Sequence, residues 1–250
     1  MGKKILEWIG SGSGLNPVLG NTSFLIGNDS KRNFLVDCGS TVPLELIKSK
    51  EIGDVTDIVI THLHADHIGG LEGLGFMNYF ALNRRGDNRP NLYLASKRMA
   101  YDLWNHALKA GMIHSEGEGG EYMKADLESY FNVHIGKRFS IPGLIDAELF
   151  ETPHVPHLEC YGIYIDSDIF YSGDTTQMPE TDAQFIFQDC QFFDGGAHIS
   201  YDRLNRKMSS EMKARTHLVH LGMGYESKNP VADGFAGFVK PGDKFVLDKD

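Results

Sequence analysis

Three histidines and one aspartate fall within six consecutive residues, and this cluster restricts the fold more than any other feature of the sequence. His62, His64, Asp66 and His67 come directly after residues 55–60 (VTDIVI), an apolar run typical of a buried strand. A tight loop at the carboxyl end of that strand can direct the two earlier histidines to one side and the other pair to the opposite side. Imidazole and carboxylate groups are ligands of zinc and similar cations, and two neighbouring ions can share a bridging hydroxide. The cluster therefore predicts a site for two metal ions.

The alternative interpretation is a surface loop that is merely rich in histidine. A single histidine would favour it, but four ligand-type side chains at this spacing do not. Gly69 and Gly70 follow the cluster, and glycine allows the backbone to turn closely. We therefore interpret the cluster as a metal site.

Strand patterns fall in both halves of the chain, with helix patterns beside them. Residues 4–39 predict three strands of a meander, and strand patterns return over residues 147–221. No proline-rich or low-complexity linker separates the halves. The sequence therefore predicts an α/β fold in which residues 1–250 form a single domain with internal two-fold character.

Residues 76–145 lie between the metal cluster and the later strands and carry their own local patterns. Ser96 can cap a helix that runs through Lys109, with Gly111 as its stop. The acidic glycine tract 115–121 interrupts the helical pattern, and residues 121–131 (EYMKADLESYF) predict a second helix. We expect a lid-like insertion at about 76–145.

Composition restricts the partners and the compartment. The chain has 24 Lys and Arg against 34 Asp and Glu, and the net charge of −10 disfavours a stable nucleic-acid partner or binding to an anionic membrane. No run of about 18 consecutive apolar residues occurs, so we expect no membrane helix. Cys38, Cys160 and Cys190 form no CxxC pair, which indicates free thiols and a cytoplasmic location.

The segment THLHADHIGG (residues 61–70) matches the HxHxDH signature, through which the chain resembles the metallo-β-lactamase fold superfamily. The resemblance covers nearly the whole chain and implies a four-layer αβ/βα sandwich with a dinuclear site at the edge of its two sheets. The motif YSGDT (residues 171–175) is similar to the strand-end motif whose aspartate bridges the two ions, which implies this role for Asp174.

Two later motifs imply the remaining ligands. Residues 152–162 (TPHVPHLECYG) contain His154 and His157, and both could reach a metal ion. The superfamily pattern favours His154, because its ligand histidine comes just after a strand and shortly before an aromatic-glycine pair. His157 would then orient a ligand or touch the substrate. In THLVHLGMGY (residues 216–225), His220 ends a hydrophobic strand and resembles the last ligand of the superfamily.

The resemblance thus implies a complete ligand set. The residues are His62, His64 and His154 on the first ion, Asp66, His67 and His220 on the second, and Asp174 shared between them. His64 also bears on the identity of the metal, since di-iron relatives of this fold usually have glutamate at that position. We therefore expect two Zn²⁺ ions per chain, with Mn²⁺ as the open alternative.

Three further motifs resemble the phosphodiesterase branch of the superfamily that includes the tRNA 3′-end endonuclease RNase Z. They are EWIGSGSG (residues 7–14), NFLVDCG (33–39) and FQDCQFFDGGAH (187–198). In that branch an additional histidine pairs with an acidic residue near the metals, which implies that His198, beside Asp189, acts as a general acid or orients the phosphate. Asp66 would accept a hydrogen bond from the zinc-bound hydroxide as well as holding metal.

One departure from RNase Z argues against tRNA processing. RNase Z enzymes carry a long tRNA-binding arm between the second-motif histidine and the bridging aspartate, whereas only residues 155–173 separate His154 from Asp174 here. The extra length lies instead in the insertion at about 76–145. A compact phosphodiesterase of this kind resembles the anti-Pycsar family, phage-encoded enzymes with bacterial relatives that hydrolyse 3′,5′-cyclic mononucleotides such as cyclic CMP and cyclic UMP as homodimers.

That resemblance implies a small nucleotide substrate, a homodimer, and a role in phage evasion of cyclic-nucleotide immunity in the host cytoplasm. Aromatic side chains for stacking on the base are available in the insertion at Phe76, Tyr79, Phe80 and Tyr122, although packing in the core is their more ordinary role. Two alternatives remain open. One is an RNase Z-like endoribonuclease that processes tRNA 3′ ends, and the other is a lactone or thioester hydrolase of the same fold.

Overall fold

Apolar strand sequences build two seven-stranded sheets. The computed structural model describes residues 3–16, 18–28, 32–117 and 119–247. The strands are β1 (Lys4–Gly10), β2 (Ser23–Gly27), β3 (Asn33–Val36), β4 (Val55–Val59), β5 (Asn91–Leu94), β6 (His114–Glu116), β7 (Tyr122–Lys124), β8 (Asn132–Ile135), β9 (Arg138–Ile141), β10 (Ile145–Glu151), β11 (Tyr161–Ile165), β12 (Ile169–Tyr171), β13 (Phe185–Asp189), β14 (Thr216–Val219), β15 (Gly237–Phe238) and β16 (Lys244–Leu247). The meander predicted at the start of the chain is confirmed by β1, β2 and β3, which pair antiparallel in sequence.

Short helices connect the strands. The α-helices are α1 (Val42–Ser49), α2 (Ala65–Ile68), α3 (Leu71–Phe76), α4 (Lys97–Asp102), α5 (Lys109–Met112), α6 (Leu127–Tyr130), α7 (Tyr201–Lys207) and α8 (Ser210–Arg215). Turns of π-helix lie at Met77–Ala81 and Leu103–Leu108, and turns of 3-10 helix lie at Gly86–Asn88 and Tyr225–Ser227. In the part of the chain that the structure describes, no helix is both long and apolar enough to cross a bilayer.

Parallel pairing brings the ends of neighbouring strands to one edge of each sheet. The first sheet has the order β16-β1-β2-β3-β4-β5-β8, and its neighbours from β3 to β8 are parallel. The second has the order β15-β14-β13-β12-β11-β10-β9, with parallel neighbours from β12 to β15. Segments at the carboxyl ends of β4, β12, β13 and β14 carry most of the predicted site residues, which is where parallel sheets place their ligands.

Large aromatic side chains fill the space between the two sheets. Trp8 and Phe24 come from the first sheet, Tyr171 and Phe187 come from the second, and all four are buried. The ring centroid of Trp8 lies 4.9 Å from that of Phe24 and 5.1 Å from that of Phe187. Phe24 and Tyr171 meet edge to face at 5.5 Å. Such pairs contribute about 0.5–1.5 kcal/mol each beyond the burial of apolar area, so this cluster holds the sheets together.

The helix predicted to begin at Ser96 is confirmed. The hydroxyl oxygen of Ser96 accepts a hydrogen bond from the backbone N–H of Met99 at 3.0 Å, which caps the helix. Helical structure then continues through α4, the π-helical turn and α5 to Met112, one residue beyond the predicted stop at Gly111.

The helix predicted over residues 121–131 is wrong in its first half. Tyr122–Lys124 forms β7, which pairs with β6 in an antiparallel hairpin, and α6 begins only at Leu127. Asp126 caps α6 through its side chain, which explains why the helix starts there. Gly117, Gly119 and Gly120 of the glycine tract lie between the two strands of the hairpin, and Glu118 lies outside the described residues. Pairing with β6 therefore overrides the helical periodicity of the segment.

The three cysteines are free thiols, as predicted. Cys38, Cys160 and Cys190 are all buried. Burial raises the pKa of each thiol, so these side chains are uncharged at neutral pH and pack as small apolar groups.

Candidate metal centre

Four of the predicted ligands lie together where the two sheets meet. His62 and His64 follow β4, His154 follows β10 and Asp174 follows β12. The Nε2 atoms of His62 and His154 each lie 3.1 Å from Nδ1 of His64. His62 Nε2 also lies 3.5 Å from Asp174 Oδ2. One ligand atom from each of the four residues lies within 4.8 Å of the others, so they form the first ligand cluster.

The other three predicted ligands form a second ligand cluster beside the first. Asp66 Oδ2 lies 3.7 Å from His67 Nε2 and 3.3 Å from His220 Nε2. Asp174 Oδ2 lies 3.5 Å from each of these two histidine nitrogens. The Asp174 carboxylate therefore lies between the two clusters, which is the position predicted for a shared ligand.

Close backbone packing sets the positions of the ligands after β4. His64 is the N-cap residue of α2, so Asp66 and His67 lie in its first turn. A Cβ atom on Gly39 would collide with the backbone oxygen of Asp66, and one on Gly70 would collide with the backbone oxygen of Gly39. The short loop and helix can approach the end of β3 only because glycine stands at both positions.

A buried aspartate that the sequence did not single out holds one of the ligand histidines. Asp37 follows β3 and is 0% exposed. Its carboxylate accepts hydrogen bonds from the backbone N–H and the hydroxyl of Thr61, both at 2.8 Å. Asp37 Oδ2 also lies 2.8 Å from His67 Nδ1. With Nδ1 held by Asp37, the imidazole of His67 presents Nε2 to the centre.

The polar atoms of the centre fit a metal ion better than they fit one another. His67 Nε2 and Asp174 Oδ1 are buried and, among the described residues, have no hydrogen-bond partner. A buried polar atom without a partner costs about 1–3 kcal/mol, so such atoms persist where they serve another purpose. Imidazole nitrogens and carboxylate oxygens are the donors that zinc and similar cations prefer. The residues present therefore fit the metal ions that the resemblance implies.

Burial and charge act in opposite directions on the histidines of the centre. Burial lowers the pKa of His62 and His64, and neighbouring imidazoles lower it further. Burial also opposes charge on His67 and His220, yet carboxylates, Asp174 first, raise the pKa of His67 well above its usual value and that of His220 to about 10. Burial favours protonation of Asp174, but the surrounding imidazoles hold its pKa well below the usual range. The Asp174 carboxylate therefore stays ionised, and its charge favours a cation beside it, either a proton on His67 and His220 or a metal ion in place of that proton.

A histidine–aspartate pair adjoins the two clusters. His198 Nδ1 lies 2.8 Å from Asp189 Oδ2, which also accepts a hydrogen bond from the backbone N–H of Thr175 at 2.9 Å. The other carboxylate oxygen of Asp189 lies 3.3 Å from His220 Nδ1. Burial lowers the pKa of His198, but the charge of Asp189 and its hydrogen bond outweigh this and raise it. The structure thus brings His198 and Asp189 together as the resemblance implies.

The structure separates the two histidines between which the sequence left a choice. The side chain of His154 is 1% exposed in the first cluster, and its Nδ1 lies 2.8 Å from the backbone oxygen of Ala197. His157 is exposed and belongs to none of the described groups that could hold a metal ion. The geometry therefore favours His154 as the metal ligand, in agreement with the choice made from the sequence.

The two ligand clusters open into a cavity of about 680 Å³. Its wall contains residues of both clusters and His198, and segments at residues 13–15, 191–193 and 222–223 supply much of the rest. Of the described residues, none from the insertion at 76–145 lines this cavity. The role of that segment as a lid stays a prediction.

We expect the substitution Asp37→Asn to weaken zinc binding by about 10- to 100-fold, because the carboxylate that holds His67 is lost while the shape of the side chain is kept. Competition with a chromogenic zinc chelator measures the affinity, and elemental analysis counts the ions per chain. Asp87→Asn, at an exposed aspartate, is the matched control and should bind zinc like the wild type. Wild-type zinc affinity in Asp37→Asn would contradict the positioning role of Asp37.

Solved structures of other proteins share this architecture. The metallo-β-lactamase fold protein YhfI from Bacillus subtilis superposes with a TM-score of 0.73 at 16% identity, over 98% of this chain and 100% of that chain. A diphosphatase from the PhnP family gives a TM-score of 0.72 at 19% identity, over 98% of each chain. The short form of human tRNase Z gives 0.66 at 15% identity, over 96% of this chain and 98% of that chain. These similarities confirm the predicted metallo-β-lactamase fold.

Sequence comparison gives a more specific result. The profile of the family described as Anti-Pycsar protein Apyc1 matches residues 5–245. The protein of that description from Bacillus phage 010DV004 is 32% identical over 259 aligned residues, which cover 97% of this chain and 98% of the relative. The one from Bacillus phage BSP38 is 32% identical over 238 residues, with 88% and 90% covered. The chain therefore belongs to the anti-Pycsar Apyc1 family, the family that its motifs resemble.

Proposed function

We propose that this protein is a phosphodiesterase that uses two zinc ions to hydrolyse 3′,5′-cyclic mononucleotides, such as cyclic CMP and cyclic UMP, in the cytoplasm of a phage-infected host. The observation that carries the proposal is the position of Asp174 Oδ2 between two ligand clusters, with His198 beside them. Membership of the anti-Pycsar family supports the biological role.

Metal ions bound here would supply Lewis acidity towards phosphoryl oxygens and lower the pKa of a bound water to about 7. Asp66 lines the cavity, and its Oδ2 faces His220 at 3.3 Å. Burial raises the pKa of Asp66, but the hydrogen bond from His220 and the charge of His67 outweigh this and lower it, so the group stays a carboxylate. The Asp66 carboxylate accepts a hydrogen bond from the attacking water and orients it towards phosphorus.

In this proposal, His198 protonates the leaving oxygen. It lines the cavity, and its side chain is 20% exposed. Asp189 holds Nδ1 at 2.8 Å, so Nε2 remains for contact with a substrate. Opening of a cyclic phosphodiester ring expels an alkoxide, which is a poor leaving group unless it receives a proton. The proton on His198 meets this requirement.

The size and charge of the site favour a mononucleotide over a large nucleic acid. A cavity of about 680 Å³ lies within the usual range for sites that enclose small molecules. A net charge of −10 weakens the binding of a long polyanion, which depends on many contacts from lysine and arginine to phosphates. A single phosphodiester needs only the local positive charge that the metal ions and His198 provide.

Zinc-loaded protein is expected to convert cyclic CMP and cyclic UMP into linear monophosphates, and His64→Ala to lower kcat/KM by about 100-fold or more because a ligand of the first cluster is lost. Phosphorus NMR distinguishes the cyclic substrates from the linear products. His106→Ala, at an exposed histidine outside the clusters, is the control and should keep wild-type activity. Absence of cyclic-nucleotide hydrolysis, with cleavage of a tRNA 3′ trailer or a lactone instead, would support the alternative functions.

The role of His198 predicts a dependence on the leaving group. His198→Ala should lower kcat/KM for cyclic CMP by about 100-fold or more, because the alkoxide then leaves without a proton. Bis(p-nitrophenyl) phosphate releases a nitrophenolate that needs no proton, so its hydrolysis should fall much less. Steady-state kinetics of both substrates with both proteins measures the difference. An equal loss on both substrates would exclude proton donation by His198.

We further propose that the protein is a homodimer, as the family resemblance implies. The insertion at 76–145 exposes several large apolar side chains, among them Phe80, Leu82 and Tyr101, and exposed apolar groups are enriched at interfaces between subunits. Light scattering at micromolar concentration should give twice the chain mass. Paired glutamate substitutions at Phe80 and Tyr101 should shift the mass towards the monomer, whereas a wild-type monomer would refute the proposal.

A further inference from the structure

Three exposed apolar side chains line the same cavity as the metal ligands. Leu15 is 82% exposed, Phe193 is 67% exposed and Met223 is 79% exposed. They come from three separate loops, and we call them the apolar rim. Large apolar side chains that remain in water next to a catalytic cavity indicate contact with an apolar part of a ligand.

The loop that carries Phe193 is built to hold it outward. The buried side-chain amide of Gln191 donates hydrogen bonds to the backbone oxygen atoms of Phe193, at 3.0 Å, and Gly195. Gly195 and Gly196 have φ values of +83° and +88°, which glycine adopts without strain. The carboxylate of Asp194 accepts a hydrogen bond from the hydroxyl of Ser200 at 2.7 Å, which closes the loop. The exposure of Phe193 is therefore a property of a cross-linked loop rather than of a frayed one.

The two loops that carry the rest of the apolar rim are tied to each other. The buried side-chain amide of Asn16 donates to the backbone oxygen of Leu221 at 2.9 Å, and the backbone N–H of Ser13 donates to the same oxygen at 3.2 Å. Leu15 lies between these two donors in sequence, and Met223 follows two residues after their acceptor. Leu15 and Met223 are thus held beside the cavity as a pair.

The four aromatic residues that the sequence offered for stacking in the insertion do not line the cavity. Tyr79 is buried, and Phe76 and Tyr79 pack against Tyr130 with ring centroids 5.6 and 5.5 Å apart. Phe80 and Tyr122 are exposed but do not line the cavity. Phe76 and Tyr79 therefore belong to the core. Of the two phenylalanines that line the cavity, Phe192 is half-buried and packs against Tyr201, whereas the ring of Phe193 is exposed.

We propose that the apolar rim is the subsite for the nucleobase, with the base stacked on Phe193 and covered at its edges by Leu15 and Met223. This inference rests on the proposed function, in which the phosphodiester lies at the ligand clusters. A mononucleotide has one large apolar face, that of its base, and the apolar rim is the matching surface on the same cavity. The amide nitrogen of Gln191 is committed to backbone oxygens, and the three side chains of the apolar rim offer a base stacking and apolar packing.

The test compares substrates that have and lack the base. The zinc-loaded protein is assayed with cyclic CMP and with the 3,5-cyclic phosphate of 1-O-methylribofuranose, which has the same phosphodiester and sugar but no base. Phe193→Ala should lower the ratio of the two kcat/KM values by about 10-fold, because stacking of a base on an aromatic ring is lost. Phe193→Trp should restore the ratio, and Tyr122→Ala, which removes an exposed ring outside the cavity, should leave it at the wild-type value.

A binding measurement gives a readout that does not depend on turnover. Calorimetric titration should show that Phe193→Ala weakens binding of cytidine 5′-monophosphate by about the same factor, while binding of ribose 5-phosphate changes little. A ratio that is unchanged in Phe193→Ala, or that falls in Tyr122→Ala instead, would overturn the inference and leave the proposed function intact. Wild-type protein that cleaves neither cyclic substrate would overturn both.

A change in oligomeric state is the remaining outcome that would count against the subsite. If Phe193→Ala alters the mass measured by light scattering and leaves the ratio of kcat/KM values unchanged, the apolar rim is a contact between chains. An unchanged mass together with the lowered ratio supports the assignment to the base.

Discussion

One buried carboxylate oxygen organises the site. Asp174 Oδ2 lies within 3.9 Å of a nitrogen atom of five histidines. These are His62, His67, His154, His198 and His220. These histidines come from loops on both sheets. They can all lie near Asp174 Oδ2 only if the two sheets keep a fixed separation. The aromatic cluster around Trp8 and Phe187 provides that separation, so packing in the core and geometry at the centre depend on each other.

Much of the centre could be predicted from the sequence because its predicted ligands are close in sequence or fall at strand ends. The loop from His62 to His67 is a local pattern, and a strand pattern precedes Asp174 and His220. Asp37 was not predicted, since its contact with His67 joins residues thirty positions apart and nothing in the local pattern marks it. The signal that could have found it is its position, directly after a buried strand and within the NFLVDCG motif.

The wrong prediction for residues 121–131 has a physical cause. Residues 121–131 have helical periodicity, but the partner of β7 lies across a glycine turn, and a periodicity argument does not include a pairing strand. Phe76 and Tyr79 could either stack on a base or pack in the core, and contact with the buried Tyr130 gives them the core role that the sequence favours. In both cases a contact made during folding decided between two locally acceptable outcomes.

The side chain of Gln191 donates its hydrogen bonds to backbone oxygens, so these bonds do not depend on which side chain stands at position 193. A replacement at Phe193 leaves these bonds in place, and replacements at exposed positions usually alter the free energy of unfolding by less than about 0.5 kcal/mol. The ligand clusters allow no such freedom, since each histidine has several buried neighbours. With the apolar rim as the proposed base subsite, selection can alter the choice of ligand by single substitutions at the mouth of the cavity, while the ligand clusters beneath it stay unchanged.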